Sequence, residues 1–440
     1  MLSMKKHVEE ALASANETKE LLIGSQVLKE LPKLFKKAFA DKAAVIVCDK
    51  TTLEVAGRKA KEVLSGSSVS VLESFVFDSP KPHADYENAL KLEAFLKKSE
   101  AIPVAVGSGT LNDLTKLAAF RAGRQYFCVA TAASMDGYTA FGASITKEGS
   151  KQTMSCPAPM AVLADIDIIK KAPSSMTASG YGDLYAKLTA GADWILADAL
   201  GVEAIDAKAW SIVQDDLKNA LADPLAAKEG KESGILPLIE GLLLGGFAMQ
   251  WAKTSRPASG AEHQFSHLWN MENHTFNGEM PPHGFQVAIA TLAITRLYEK
   301  LLTYSVDKLD IEECCQNWPL WEELEKRAIS MFHGTGFLDI ALKQSKDKYI
   351  TKEELYWQLT KLKNSWNSIK ERLIKQLIPS AILKEQLLTV GAPVEPEQIG
   401  ISAERMKNSF LRAWHIRSRF TILDLAARTG LLDKLLDELY

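Results

Sequence analysis

Up to about residue 170 the chain alternates short apolar runs with amphipathic stretches. The run Ala43-Ala44-Val45-Ile46-Val47-Cys48 predicts a buried strand, and 53–64 carries apolar residues at helical spacing. Residues 69–77 predict a second strand and 86–98 a second helix, and the runs 102–106 and 126–130 add two further strands. Strands alternating with helices imply a parallel sheet covered on both faces. From about Ser175 onward the pattern is helical throughout. Residues 287–302 repeat apolar positions at helical spacing, and Thr351-Lys352-Glu353-Glu354 is a capping box before a long amphipathic stretch. The fold class expected is therefore an α/β N-terminal dinucleotide-binding domain over 1–173 followed by an all-α domain over 174–440. The stretch Lys170-Lys171-Ala172-Pro173-Ser174-Ser175 serves as the linker.

Composition narrows the function. Across 440 residues, 47% are hydrophobic and 24% charged, and the formal net charge is -3. That is the make-up of a globular protein, and it lacks the basic excess of a dedicated nucleic-acid binder. The most apolar window, 235–252, contains Pro237, Glu240, Gly241, Gly245, Gly246 and Gln250, and it predicts a buried core helix rather than a membrane span. The charged N-terminus has no apolar signal region, so a cytoplasmic location is expected. The five cysteines form no CxxC pair, which fits buried thiols in a reducing compartment. The lysine-rich stretch 343–375 is expected to be a solvated helix face.

Three segments hold candidate chemistry. The first, Val104-Ala105-Val106-Gly107-Ser108-Gly109-Thr110-Leu111-Asn112-Asp113-Leu114-Thr115-Lys116, has the form strand, turn, helix. Glycines there allow close backbone approach to a phosphate, and the helix N-terminus offers free N–H groups to it. The motif is not GxGxxG, and a plain tight turn remains the alternative. Asp49, just past a predicted strand, either accepts a ribose hydroxyl, which favours NAD over NADP, or caps the helix that follows. The other two segments, 180–187 and 259–284, hold Asp183, His263, His267 and His283; five of the eight histidines fall between 263 and 333. His263 and His267 share a helix face, and one carboxylate with two imidazoles suits a catalytic divalent ion.

Taken together, Gly107-Ser108-Gly109 with Asp113 and Lys116 resembles the glycine motif of the iron-containing alcohol dehydrogenase and glycerol dehydrogenase superfamily, which includes dehydroquinate synthase. Within it, the stretches 131–139 (Thr-Ala-Ala-Ser-Met-Asp-Gly-Tyr-Thr), 254–263 and 265–267 resemble the sn-glycerol-1-phosphate dehydrogenases, and 416–425 is similar to their bacterial branch; the resemblance spans about residues 20–430. The resemblance implies a dehydroquinate synthase-like fold with the site in the cleft between its domains. It assigns the metal ligands to Asp183, His263 and His283, and the pyrophosphate contacts to Gly107, Ser108, Gly109 and Asp113. Thr131 and Ser134 would face the cofactor, and Asp136 the substrate. Lys187 stands where the iron-type enzymes have a further histidine, which favours Zn²⁺ or Ni²⁺ over Fe²⁺.

The activity so implied is reduction of dihydroxyacetone phosphate to sn-glycerol 1-phosphate by NAD(H), with NADP(H) left open. The metal would act on the C2 carbonyl oxygen and His267 or a water would supply the proton. His267 has a second-shell or packing role as its alternative, and Asp136 a turn-capping one. Arg256, Lys187 and His267, with Lys147 a weaker candidate, are the cations for the substrate phosphate, with a surface or interdomain salt bridge as the alternative for any one of them. A homodimer or larger homo-oligomer is expected. The near alternative is a dehydrogenase of unphosphorylated glycerol or another polyol. A lyase of the dehydroquinate synthase type would show no net NADH consumption, and a non-catalytic relative would not be expected to keep all three ligands.

Overall fold

In the computed structural model, which describes residues 2–148 and 150–440, the apolar runs become strands buried on both faces. Met1, part of the N-terminal stretch considered above, lies outside the described residues. The strands are β1 (Glu20–Gly24), β2 (Ala44–Asp49), β3 (Phe75–Phe77), β4 (Ile102–Gly107), β5 (Phe127–Ala130), β6 (Ala143–Lys147), β7 (Ser150–Met154) and β8 (Ala161–Asp165). Six of them form one parallel sheet in the order β1-β8-β5-β4-β2-β3, and β6 and β7 pair as a separate antiparallel hairpin. Every residue of β2, β4, β5 and β8 is buried, as expected of parallel strands with helices on both faces.

Several elements differ from the sequence expectation. The run 69–77 narrows to Phe75–Phe77, because the chain first touches β2 through Val71 alone and then breaks at the polar pair Glu73-Ser74. Strands β1 and β8 and the β6–β7 hairpin were not expected. The expected helices at 86–98 and 287–302 are Tyr86–Leu96 and His283–Leu301. The window 235–252 lies within the helix Glu232–Ala252, which is long and apolar enough to cross a membrane by length and composition, yet 78% of its apolar window is buried in the fold. Pro237 lies inside it at the sixth position, past the first turn, where the missing N–H removes one i→i−4 bond. All five cysteines are free, and burial pushes the thiols of Cys48, Cys128 and Cys156 up to about 12.

Two compact units are distinguished: 1–184 with 211–255 and 389–391, and 185–210 with 256–388 and 392–440. In the first, Phe35, Phe39, Ile46, Val104, Phe127 and Leu163 build a core on the sheet, while Val8, Ala11 and Ala15 pack on Leu244, Phe247 and Ala248. In the second, Phe265, Trp269, Leu297, Trp366 and Phe410 centre a helical core. The capping box at Thr351 forms as expected: Glu354 N–H donates to Thr351 Oγ1 at 3.2 Å and Thr351 N–H to Glu354 Oε2 at 2.7 Å. The lysine-rich face departs from expectation at Lys348, which is buried, 3.1 Å from Asp424 Oδ1 and 4.3 Å from the centre of the Trp414 ring. Burial lowers that ammonium to about 8.

Candidate functional site

The glycine turn stands at the carboxyl end of the sheet, where open α/β folds bind ligands. Gly107 closes β4, and Ser108 is the N-cap of the helix Gly109–Arg121 without capping it through its side chain, so the first-turn N–H groups keep their capacity for an anion. A Cβ at Gly107 would lie 2.2 Å from Leu111 Cδ1, which explains the glycine by close packing of strand and helix. Asp49 ends β2 two residues past the Val47–Ala105 pair, as Gly107 does on β4. Its carboxylate caps the next helix, with Oδ1 accepting from Thr52 N–H at 2.7 Å and Thr52 Oγ1 at 3.1 Å.

The segment 131–142 is held from several directions. Lys116, fully buried, donates from Nζ to the carbonyls of Gly137 at 3.0 Å, Ala140 at 2.9 Å and Gly142 at 2.9 Å. Thr139 Oγ1 donates to Leu243 O, Gln250 Nε2 to Thr139 O, and Thr131 N–H to Gly107 O. At Gly180 the backbone comes so close that a Cβ would lie 2.0 Å from Ala133 O. Asp113 holds the β6–β7 hairpin, with Oδ2 accepting from Ser144 N–H at 3.1 Å, and burial pushes its carboxyl up against the pull of Lys116. Thr131 is buried and Ser134 half-buried, with Ser134 O accepting from Ser179. Within this segment Asp136 N–H donates to Asp183 Oδ2 at 2.9 Å, so the loop that runs on from β5 orients the Asp183 carboxylate.

Asp183, His263 and His283 each offer one ligand atom, and the three atoms lie within 4.8 Å of one another. Asp183 lies on the helix Ser174–Leu200, His263 on Ala261–Met271, and His283 is the first residue of His283–Leu301. The two imidazole centroids are 5.4 Å apart. His263 Nδ1 lies 2.8 Å from Glu262 Oε1, and a carboxylate can only accept there, so Nδ1 carries the proton. His283 Nδ1 lies 3.2 Å from Ser266 Oγ, whose own proton goes to Gln286 Oε1 at 3.2 Å, so this Nδ1 is also the donor. Both rings are thus left with Nε2 as the lone-pair nitrogen. A carboxylate and two such imidazoles form a donor set that a divalent metal ion fits. His267, half-buried, stands one helical turn beyond His263, outside the ligand set.

Beneath His263 lies a pair of fully buried acids. Glu262 accepts from Gly260 N–H at 2.6 Å and from Thr189 Oγ1 at 2.7 Å. Burial would raise its carboxyl, but these bonds and that from His263 outweigh it and hold it low. Asp193 accepts from Tyr298 Oη at 2.5 Å, Ile422 N–H at 2.8 Å and Ala261 N–H at 2.7 Å; burial and the neighbouring Glu262 push it up to about 7.

The cations expected for a substrate phosphate fall into three situations. Lys187 is fully buried four residues after Asp183, on the same helix. Arg256 is buried, and its guanidinium donates to Phe420 O at 2.9 Å and Asp193 O at 3.0 Å, with Glu203 Oε2 3.2 Å from its Nε. These contacts are internal to the fold. Lys147 lies in the hairpin, 5.0 Å from the centre of the Tyr86 ring. The sequence reading gave no role to Glu262, Asp193 or the 416–425 segment. That segment braces the loop before the His263 helix, since Arg419 donates to Ser259 O at 2.7 Å while Phe420 and Ile422 meet Arg256 and Asp193. A cavity of about 610 Å³ lined by Glu272, Phe337, Arg405, Asn408 and Arg412 shares no residue with the ligand cluster, and both its arginines pair with Glu272.

Residues 22–173 match the model of the iron-containing alcohol dehydrogenase family. A glycerol-1-phosphate dehydrogenase [NAD(P)+] of Geobacillus thermodenitrificans (strain NG80-2) is 30% identical over 386 residues, covering 87% of this chain and 86% of the relative. The chain belongs to this family. It is accordingly an enzyme of the oxidoreductase class. The namesake from Geobacillus stearothermophilus is 29% identical over 409 residues, 92% of this chain and 91% of the relative. Among solved structures, glycerol dehydrogenase from Schizosaccharomyces pombe superposes with a TM-score of 0.60 at 16% identity, covering 96% of this chain and 90% of that one. The expected α/β-plus-helical, dehydroquinate synthase-like fold is the fold observed.

Proposed function

We propose that this enzyme reduces dihydroxyacetone phosphate to sn-glycerol 1-phosphate with NADH or NADPH, at a divalent metal held by Asp183, His263 and His283. The observation that carries the reading is the donor set itself, three ligand atoms within 4.8 Å with both Nδ1 positions already engaged, in a chain of this family. A bound Zn²⁺ or Ni²⁺ supplies Lewis acidity at the C2 carbonyl oxygen, worth several kcal/mol of barrier. The nicotinamide supplies the hydride.

The chain's own residues do the rest. Gly107, Ser108 and Gly109 receive the pyrophosphate at the N-terminus of their helix, while Thr131 and Ser134 line the cofactor. Asp113 supports this region by holding the hairpin, and the remaining capacity of the Asp49 carboxylate suits a ribose hydroxyl. Asp136 holds a substrate hydroxyl beside the Asp183 carboxylate that its own N–H orients. His267, one turn from His263, delivers the proton to the C2 oxygen, and Lys187 with His267 meets the phosphate. In this reading residues 1–173 serve the cofactor and, through Asp136, the substrate, while 174–440 serve the metal and the rest of the substrate, a division of labour rather than of packing.

One observation favours a second reading, an unphosphorylated polyol as substrate: Arg256 is committed to backbone carbonyls, which leaves fewer cations for a phosphate. NADH and NADPH oxidation measured with dihydroxyacetone phosphate and with dihydroxyacetone, plus chiral analysis of the product, decides between them. Preference for the phosphorylated ketone and formation of the sn-1 product are expected. Equal or faster turnover of dihydroxyacetone would overturn the proposal.

A further inference from the structure

We infer that Glu262 is a positioning residue of the metal centre, setting both the coordinating nitrogen of His263 and the affinity for the ion. This rests on the reading of Asp183, His263 and His283 as the metal ligands. Glu262 is fully buried, yet each of its oxygens is engaged: Oε1 by Gly260 N–H at 2.6 Å and His263 Nδ1 at 2.8 Å, Oε2 by Thr189 Oγ1 at 2.7 Å. Thr189 has one hydroxyl proton and two acceptors in reach, the second being Ala186 O at 3.0 Å, and the shorter contact is to the carboxylate. A carboxylate so placed does two things. It fixes the imidazole tautomer and ring plane, because a ring that turned over would lose a charge-assisted hydrogen bond. It also makes His263 a stronger donor and adds negative charge one residue behind the cation. His283 lacks that second contribution, since its Nδ1 partner is the neutral hydroxyl of Ser266. The two histidines are therefore unequal ligands, and His263 is the tighter one.

The rigid supports beneath Glu262 fit this role. Asp193 Oδ2 takes Ala261 N–H at 2.7 Å, and Thr189 and Asp193 share the helix Ser174–Leu200, so one element positions both Glu262 and the start of the His263 helix. A glutamine at 262 would match the same surroundings. Its oxygen can face Gly260 N–H and His263 Nδ1–H, and its amide nitrogen can donate to Thr189 Oγ1, whose proton turns to Ala186 O. Glu262→Gln thus removes charge while leaving shape and hydrogen bonding in place.

The test is Zn²⁺ affinity of the full-length enzyme by chelator competition, with the absorption spectrum of the Co²⁺-loaded protein as a second readout. Glu262→Gln should weaken Zn²⁺ binding roughly 10- to 100-fold and shift the Co²⁺ bands, while the metal-free Tm stays near that of the parent. His283→Ala, measured alongside, should abolish tight binding. If the parent binds no Zn²⁺, or His283→Ala binds as the parent does, the ligand assignment fails and this inference with it. If His283→Ala loses the ion but Glu262→Gln binds within twofold of the parent, the inference alone is overturned. Should Glu262→Gln not accumulate as folded protein, Thr189→Val decides: a several-fold weaker Zn²⁺ affinity supports the role and an unchanged one overturns it.

Discussion

Lys116 shows how a single residue organises the cofactor side of the site. Its ammonium is out of water and satisfied by three carbonyls of the 137–142 turn. Lys116→Met keeps the length of the side chain but orphans those carbonyls, at about 1–3 kcal/mol for each group left unsatisfied. A loss of about 3 kcal/mol or more in chemical denaturation is expected, with raised KM for the dinucleotide because Thr131 and Ser134 precede the same turn. Gly180→Ala should act on the same segment from the opposite side. The added methyl meets Ala133 O at 2.0 Å, so the backbone must move and the Asp136 N–H bond to Asp183 with it; weaker metal retention in elemental analysis checks this. At this scale the sequence was partly legible. The ligands Asp183, His263 and His283 were named through family resemblance, whereas spacing alone pointed to His263 with His267. The reason is geometric: a helix places residues four apart on one face, but only the packing of a second helix brings in His283. Glu262 was hidden because a carboxylate beside a histidine in sequence reads as an ordinary polar pair until burial is known.

At the scale of elements, the pair of buried acids under the His263 helix gives a pH-dependent stability. Asp193 is pushed up to about 7, well above an unfolded aspartate at about 3.9. The folded protein therefore binds the extra proton between those values, and the contribution of this group to stability falls as pH rises from about 4 to about 7. Asp193→Asn cannot titrate. The destabilisation it causes should thus be larger at pH 5 than at pH 7.5 when both proteins are unfolded by urea in metal-free buffer; a gap that is constant with pH refutes the assignment. Strands β2, β4 and β5 could be read from apolar runs, since a strand buried on both faces needs continuous hydrophobicity. The runs at 20–24 and 161–165 are of similar character, but Glu20 opens the first and Asp165 closes the second, and the β6–β7 hairpin is polar enough to pass for a loop. The helix Glu232–Ala252 was legible as core because its glycines and Pro237 are tolerated where neighbours pack around them.

For the whole molecule, the proposed ligands come from positions 183, 263 and 283, so an ion that they bind only in the folded chain should stabilise it. At about 100 times its dissociation constant the ion adds roughly 2.7 kcal/mol. Removing it with a chelator should lower Tm by a few degrees, and re-adding Zn²⁺ or Ni²⁺ should restore it. His263→Ala should show no such shift in a thermal melt. The layered α/β and helical architecture was legible from periodicity, whereas the strand order was not, since it depends on which distant runs meet.

That order has a consequence for synthesis of the chain. Strand β1 sits at the sheet edge and, among the described residues, pairs only with β8, about 140 residues later, while Val8, Ala11 and Ala15 before it pack on Leu244, Phe247 and Ala248. At roughly 5–20 residues per second, β1 waits of the order of ten seconds after its own synthesis before β8 exists. During that interval residues 20–24 have no strand to pair with, so this edge of the sheet is completed only when β8 has been made.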